Sequence, residues 1–435
     1  MKLQFLVMLA TRVFASGVQA VSVVLLARWV GIEAFGLIAV VLGIGGVLFT
    51  VSDWGLSSYI PRARAKGDHG DVATGLRMSC GGNSIAGILF ALAVLVIGLS
   101  TGASAWLCLL PIALALDQFT EAGLTVPVAD KLKRPIIVSV LLRRCAALAI
   151  FVGLFMVDVD PLAAYALGML VSGLLGLTHI LVVLRSRMRG FEERSPYRQL
   201  YRSLTPYMIA NLSAASRSLD AAIVAGTTSV ASAGLYSAAF RITRPLMLVG
   251  SAAVAVILPH AARESLAAVK RLGWKLSVAA GLSVVPLTVV AYFAEPLVVL
   301  LFGTAYAAAA PAFALAVLAI PFLSLAPPLG GMLQGQGYQN FVARNGVIFA
   351  AVTLASVWVG AVYWDAAGAA GGILVAYVLK VVALLVRLLT AKPVNPSTVP
   401  ADSADPAQPP VVEPLVAARD VAAIGRATHD AVPGR

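Results

Sequence analysis

Residues 5–30 read FLVMLATRVFASGVQAVSVVLLARWV, and this stretch decides the class of fold. An α-helix rises about 1.5 Å per residue, so about twenty apolar residues cross the hydrocarbon core of a bilayer. The run is longer than that, and its only charges are Arg12 and Arg28. Arg28 sits at one end. Arg12 lies inside, where lenient insertion scales put the cost of an arginine at roughly 2.5–3.5 kcal/mol. Lys2, a short apolar run and Ala15-Ser16-Gly17 faintly resemble a secretion signal. Arg12 breaks that pattern and the apolar run continues to Val30, so an uncleaved first span is expected.

The pattern recurs. Apolar segments lie near 5–30, 35–60, 78–99, 104–126, 136–157 and 162–184, then near 204–226, 233–258, 273–294, 306–328, 343–363 and 368–389. The expected fold is an all-α polytopic membrane protein of about twelve transmembrane helices. Of 435 residues, 60% are hydrophobic and 12% charged, with a mean hydropathy of +0.91. A soluble core cannot bury that much apolar surface. The net charge of +12 would suggest nucleic acid in a soluble protein. Here the basic residues fall in short loops, a topology signal, and no nucleic acid is expected. Cys80, Cys108 and Cys145 and the scattered histidines offer no metal spacing and no disulfide framework.

The loops alternate in charge. One set carries Arg62, Arg64, Lys66 and Arg77, then Lys131, Lys133 and Arg134, then Arg185 to Arg202, then Arg263, Lys270, Arg271 and Lys275. The opposite set carries Glu33, Asp158, Asp160, Glu295 and Asp365, with Arg28 the main exception. The positive-inside rule then puts both termini in the cytoplasm of a bacterial inner-membrane protein. The expected organisation is a bundle at 1–184, a basic cytoplasmic linker at 185–203, a second bundle at 204–390 and a disordered cytoplasmic tail at 391–435. The tail is rich in proline, small and acidic residues. All acidic-side loops are short, so no domain folds there.

The halves also resemble each other. Gly36-Leu37 and Gly234-Leu235 follow the first span of each half, and Arg144 and Arg344 open the fifth span of each. Six spans bring the chain back to the same side, so this is a parallel repeat, a common transporter plan.

Three stretches carry a family resemblance. They are Leu25 to Asp53-Trp54-Gly55-Leu56; Leu219-Asp220 followed by Gly234-Leu235-Tyr236-Ser237-Ala238-Ala239-Phe240-Arg241-Ile242; and Pro296 through Phe302-Gly303-Thr304-Ala305-Tyr306 to Ala310-Pro311. In this order they resemble a polysaccharide flippase of the Wzx type, in the multidrug/oligosaccharidyl-lipid/polysaccharide exporter superfamily, over roughly residues 5–390. The resemblance implies two six-helix bundles around a central cavity that opens alternately to either side. It implies a cargo of oligosaccharide on undecaprenyl pyrophosphate, bilayer lipids as partners, and a polysaccharide polymerase and assembly proteins nearby. Many members have two further helices at the C-terminus; this chain stops at twelve.

Arginine is always charged and its planar fork fits phosphate, so the intramembrane arginines are candidate contacts for an anionic cargo. Arg241 and Arg244 share a helical face, with Arg241 about 12 Å from the start of its span. The alternative role is bonding to carbonyls of a neighbouring helix. Arg217 and Asp220 share a face; they either neutralise each other, or Asp220 holds Arg217 or pairs with Arg241 as the cavity changes state. Arg12 either snorkels to the cytoplasmic headgroups or lines the cavity. At least one of Arg143 and Arg144 is expected to anchor at the headgroups. Lys380 resembles a cavity residue. Asp53 either caps locally, or pairs with Arg62 or Arg64, or holds a coupling ion. Asp117 and Glu121, four apart, form a carboxylate pair for a cation, or face solvent.

A multidrug antiporter of the same superfamily is the competing transporter. It needs cavity carboxylates for cationic cargo, whereas the intramembrane charge here leans basic. A membrane polymerase or ligase needs a sizeable outward loop, and a glycosyltransferase needs clustered acids for a metal-bound nucleotide sugar. Neither is in the sequence, so no enzyme activity and no cofactor are expected. No G-x-x-x-x-G-K-[ST] loop is present, which leaves a proton or sodium gradient, or the membrane potential, as the energy source.

Overall fold

The computed structural model describes residues 2–188 and 195–392. Residues 189–194 and 393–435, and the side chains of 2–9, 12, 199, 206, 210, 244–253, 255, 256 and 259, lie outside that description. Residues 189–194 of the expected linker at 185–203 and almost all of the expected tail at 391–435 fall there. The described residues fall within one compact unit, Met1–Pro393, and Val394–Arg435 lies wholly outside the described residues.

The described residues are helical, with no strand among them. In chain order the helices are α1 (Lys2–Ser52), α2 (Leu56–Lys66), α3 (His69–Thr101), α4 (Leu109–Ala129), α5 (Arg134–Phe155) and α6 (Pro161–Arg187). After them come α7 (Tyr197–Ala215), α8 (Asp220–Thr227), α9 (Val230–Ala261), α10 (Leu266–Tyr292), α11 (Ala294–Phe302), α12 (Ala310–Gly335) and α13 (Gln339–Thr390). Short 3-10 turns at Ala105–Cys108, Ser216–Leu219 and Thr304–Ala309 lead into α4, α8 and α12. Side-chain caps set several starts. Asp160 accepts the Ala163 amide at 2.9 Å and Pro161 opens α6. Ser229 and Ser265 cap α9 and α10 at 3.0 and 3.3 Å.

Two of these helices fold back on themselves. Gly31 (φ 79°, ψ 172°) kinks α1, and Gln19 before it lines the same cavity as Gly43 after it. On a straight helix the two would stand about 36 Å apart, so the arms must return. Trp364 and Asp365 break α13 in the same way, with Asp365 at φ 56°. A Cβ added to Gly360 would lie 2.0 Å from the Gly368 carbonyl oxygen, and one on Gly372 would lie 2.2 Å from that of Ser356. Small residues let the antiparallel arms pack backbone against backbone. Both kinks fall in gaps expected between spans.

Among the described residues, 8 helices are long and apolar enough to cross a membrane, with α1–α2 and α13 counted once each. Ile85 and Leu89 on α3 and Leu282 and Val285 on α10 are each 62–68% exposed. Such faces belong against lipid, and the chain is a multi-pass membrane protein. The largest fully buried side chains, Tyr236, Tyr306 and Phe35, sit in one cluster drawn from both halves of the sequence.

The second arm of α1 holds the halves together. A Cβ on Gly36 would lie 2.1 Å from the Val230 carbonyl oxygen, and one on Gly234 would lie 2.3 Å from that of Ile32. The two repeat-related glycines thus face each other at a backbone crossing. Gly36→Val is expected to cost at least about 1–3 kcal/mol of overpacking, read as a lower melting temperature in detergent. Gly153→Ala, where an added Cβ meets nothing within 4 Å, is the control that should leave it unchanged or higher.

Near the basic loops, α2 packs on α7. Arg62 donates to the Tyr207 hydroxyl at 2.8 Å, and Trp54 meets Tyr201 edge-on at 4.9 Å. Arg64 pairs with Asp130 at 3.0 Å. Asp53 binds neither of these arginines. Its carboxylate accepts the Ser57 amide at 3.1 Å and hydroxyl, and the Ser79 hydroxyl at 3.3 Å, so it caps the start of α2. Of the local roles open to Asp53, a cap or a pair with Arg62 or Arg64, the structure has the first: the chain turns there, and local donors reach the carboxylate.

Candidate functional site

Charge within the helices separates into distinct groups. On α4, Asp117 and Glu121 share a face, and both accept hydrogen bonds from the guanidinium of Arg143 on α5. Arg143 is 4% exposed. The carboxylate pair expected to hold a cation is already filled by the fork of a neighbouring arginine, the geometry that suits a bidentate donor. Arg143 is therefore a structural residue inside the fold, not the headgroup anchor allowed by its place in sequence. Arg144, one residue on, points another way and lines a cavity.

That first cavity, of about 190 Å³, lies among α1, α4, α5, α6, α8 and α9. Arg144, Arg241, Asp117, Asp220, Tyr165 and Tyr236 line it. The Arg241 guanidinium stands 5.8 Å from the ring centre of buried Phe35, a cation–π distance. Asp220 opens α8. One of its oxygens accepts the Ala221 amide at 2.7 Å and the other the Tyr236 hydroxyl at 2.9 Å. A carboxylate in the first turn of a helix is favoured by the free amides there.

Asp220 makes no ion pair with Arg217 or Arg241 among the described residues. This corrects the expected pairing. The Ser216–Leu219 turn breaks the helical register, so Ser218 and Asp220 face the first cavity while Arg217 faces a second. Spacing alone assumed one continuous helix and put them on one face.

The second cavity, of about 290 Å³, is lined by the Ser216–Leu219 turn, α9, α12 and both arms of α13. Arg217 donates to the Tyr377 hydroxyl at 2.5 Å, and its guanidinium lies 5.5 Å from that ring. Lys380, one helical turn from Tyr377, holds its ammonium 5.4 Å from the same ring. Neither cation has a carboxylate within ion-pair distance among the described residues. Two like charges at one neutral ring repel each other, and an anion entering the cavity relieves that repulsion.

The sequence therefore named Arg217, Lys380 and Arg241 as cavity residues without their partners, and the structure brings the first two together and leaves Arg241 on another wall. Arg12 and Arg244 lie on α1 and α9, with side chains outside the described residues. Tyr377 and Arg144 were not singled out for the site. Tyr377 had a signal in its spacing, three residues before Lys380 on the same face. The exceptional Arg28 is also explained. Its Nε donates to the Leu301 carbonyl at 2.6 Å and its Nη2 to that of Leu300, at the C-terminal end of α11 where a cation is favoured.

With this geometry described, comparison with known proteins identifies the family. The profile of the family described as "Polysaccharide biosynthesis protein" matches residues 4–265, more than half of the chain. The chain belongs to this family, that of the Wzx-type flippases. No curated protein sequence matches it. Among solved structures it is similar to the lipid II flippase MurJ in an inward closed conformation, with TM-score 0.69, 11% identity and 88% of each chain covered. It is also similar to an inward-facing multidrug resistance MATE family transporter of the MOP superfamily, with TM-score 0.68, 13% identity, and 86% of this chain and 93% of that one covered. A MATE transporter of Vibrio cholerae follows at TM-score 0.60 and 13% identity, covering 88% and 95%. At these identities the likeness establishes the fold alone. This family member has the fold of MOP-superfamily transporters.

Proposed function

We propose that the chain flips an undecaprenyl-pyrophosphate-linked oligosaccharide from the cytoplasmic to the outer leaflet, for surface polysaccharide assembly, by alternating access of a cationic cavity. The observation that carries this reading is the pair Arg217 and Lys380 about Tyr377, facing a cavity with no carboxylate among its described lining residues. A diphosphate supplies the missing negative charge. Arg144 and Arg241 line the first cavity, with Asp117 and Asp220 on the same wall, on the other side of the Ser216–Leu219 turn. The reading takes twelve crossings in two bundles: two each from the α1 and α13 hairpins, and single crossings by α3, α4, α5, α6, α7 with α8, α9, α10 and α12. Both termini then lie on the basic, cytoplasmic side.

A cation-coupled multidrug antiporter is the second reading, favoured by the likeness to MATE transporters. It needs carboxylates open to the cavity. Here Arg143 occupies Asp117 and Glu121, and Tyr236 and a helix amide occupy Asp220. A polymerase or ligase finds no support in the short connections. No ATP-binding loop is in the sequence, so a proton or sodium gradient, or the membrane potential on an anionic cargo, is the proposed energy source. Coupling through Asp53, Asp117, Asp220 or Glu121 would require each to leave the partner it has here.

The test is accumulation of lipid-linked oligosaccharide in the inner leaflet of cells whose only copy is the Arg241→Ala variant. Accumulation several-fold above wild type at equal expression is expected. Unchanged export would remove Arg241 from the proposed path. A fluorescent undecaprenyl-pyrophosphate saccharide in proteoliposomes tests the cargo directly: no faster crossing with protein than without would sink the flippase reading.

A further inference from the structure

The free ends of the α13 hairpin enclose a cavity that the proposed cargo path does not use. It is about 490 Å³ and is lined by Asn340, Phe341, Arg344 and Arg387. Its wall is distinct from that of the second cavity, which takes Val342, Asn345 and Gly346 from the opposite face of the same arm. The repeat partner of Arg344, Arg144, lines the first cavity instead. Arg344 is thus free of the role that symmetry would give it.

Arg387 is held ready rather than satisfied. Its guanidinium stands 4.6 Å from the Tyr338 ring and 5.5 Å from the Phe341 ring. Tyr338 is itself fixed, donating to the Lys392 carbonyl at 2.5 Å and accepting the Lys392 amide at 3.0 Å. The Nε of Arg387 is buried and has no hydrogen-bond acceptor. A buried unpaired donor costs free energy, and an oriented guanidinium matches phosphate oxygens. No carboxylate lies within ion-pair distance of Arg344 or Arg387 among the described residues. Asn340 is in the first turn of α13, where backbone amides lack helical acceptors and favour an anion.

The location names the source of that anion. The cavity sits at the helix ends on the basic side, at headgroup depth for a membrane-spanning hairpin. Val347, Ile348, Val382 and Val386 lie within two turns of the arginines and are 48–54% exposed, so acyl chains run beside the site. We propose that this cavity binds the phosphate group of an anionic membrane lipid on the basic side, separately from the cargo. The assignment stands whether or not the flippase reading does.

The test uses the full-length protein in vesicles of phosphatidylcholine and phosphatidylglycerol, with retained lipid counted by native mass spectrometry. The variant R344Q/R387Q is expected to retain phosphatidylglycerol about tenfold less than wild type, since each surface cation contributes comparably to lipid binding. Phosphatidylcholine retention should not change. Arg344 is exposed, so R344Q alone folds and should lose about threefold if the double variant does not express. Equal phosphatidylglycerol retention in wild type and R344Q would overturn the proposal. In a second arm, inorganic phosphate is added in phosphatidylcholine alone. If it raises the wild-type melting temperature and phosphatidylglycerol does not, the site takes free phosphate and the lipid assignment fails.

Discussion

The Arg217→Gln, Lys380→Gln double variant is expected to abolish transport while leaving the protein as stable as wild type, or more stable. The two effects have opposite signs for one reason. Each cation is held inside the membrane-spanning part of the fold with no carboxylate within ion-pair distance among the described residues, at a cost on the order of 2.5–3.5 kcal/mol on insertion scales. Their shared ring, Tyr377, returns part of that through cation–π contact, on the order of 1–2 kcal/mol per cation. Neutral glutamines remove the repulsion between the two charges. A hydrogen bond to a charged group contributes roughly 1.5–3 kcal/mol, so loss of both cations should weaken the hold on a diphosphate by a factor of at least about a hundred. Flipping assayed in proteoliposomes and melting in detergent measure the two quantities on one preparation. Transport at the wild-type rate would remove the second cavity from the mechanism. A large fall in melting temperature would instead make the pair structural. Arg217→Lys should recover little, because the fork that reaches both the hydroxyl and a phosphate is lost.

The triad on α4 and α5 should behave in the reverse way. Asp117→Asn with Glu121→Gln is expected to destabilise by about 3–5 kcal/mol, because it strands a guanidinium that is 4% exposed. Arg143→Met should cost less. Asp117 is 28% exposed and Glu121 is 50% exposed, so their carboxylates hydrate once the arginine is gone. The order of the two variants is the test, read as melting temperature at neutral pH. If Arg143→Met were the worse, the acids would be the buried partners and a cation-coupling role for them would return. If both were neutral, Arg143 would be free to rearrange and the pair would contribute nothing to the fold.

The contrast between these groups explains what could be read in advance. Hydropathy located the crossings because lipid imposes one requirement on every span, that its backbone bonds close within the helix. It also located Gly31 and Asp365, since the gaps between apolar runs coincide with the kinks. Charge identity within a span was equally legible: Arg217, Arg241 and Lys380 stood out inside apolar runs, while Arg143 read as a headgroup residue. Their partners were not. Arg217 and Asp220 are three apart, and three apart means one face only if the helix is unbroken. The 3-10 turn at Ser216–Leu219 redirects them to different cavities. Asp117 and Glu121 showed their common face but not the arginine waiting 26 and 22 residues later in the chain.

By itself, then, the sequence determined that this chain crosses the membrane many times, that it resembles the polysaccharide flippases, and that the charges inside its apolar runs lean basic. These are properties of composition and short-range period, which lipid and helix geometry read directly. Only the tertiary structure decided which charges are spent. Arg143 is consumed by two acids and Arg28 by the end of α11, while Asp53 is taken up by Ser57 and Ser79 and Asp220 by Ala221 and Tyr236. Arg217 and Lys380 are left facing a cavity across one tyrosine. That division depends on distances between residues far apart in the chain, and a side chain's partner is set by which helices pack, not by its own span.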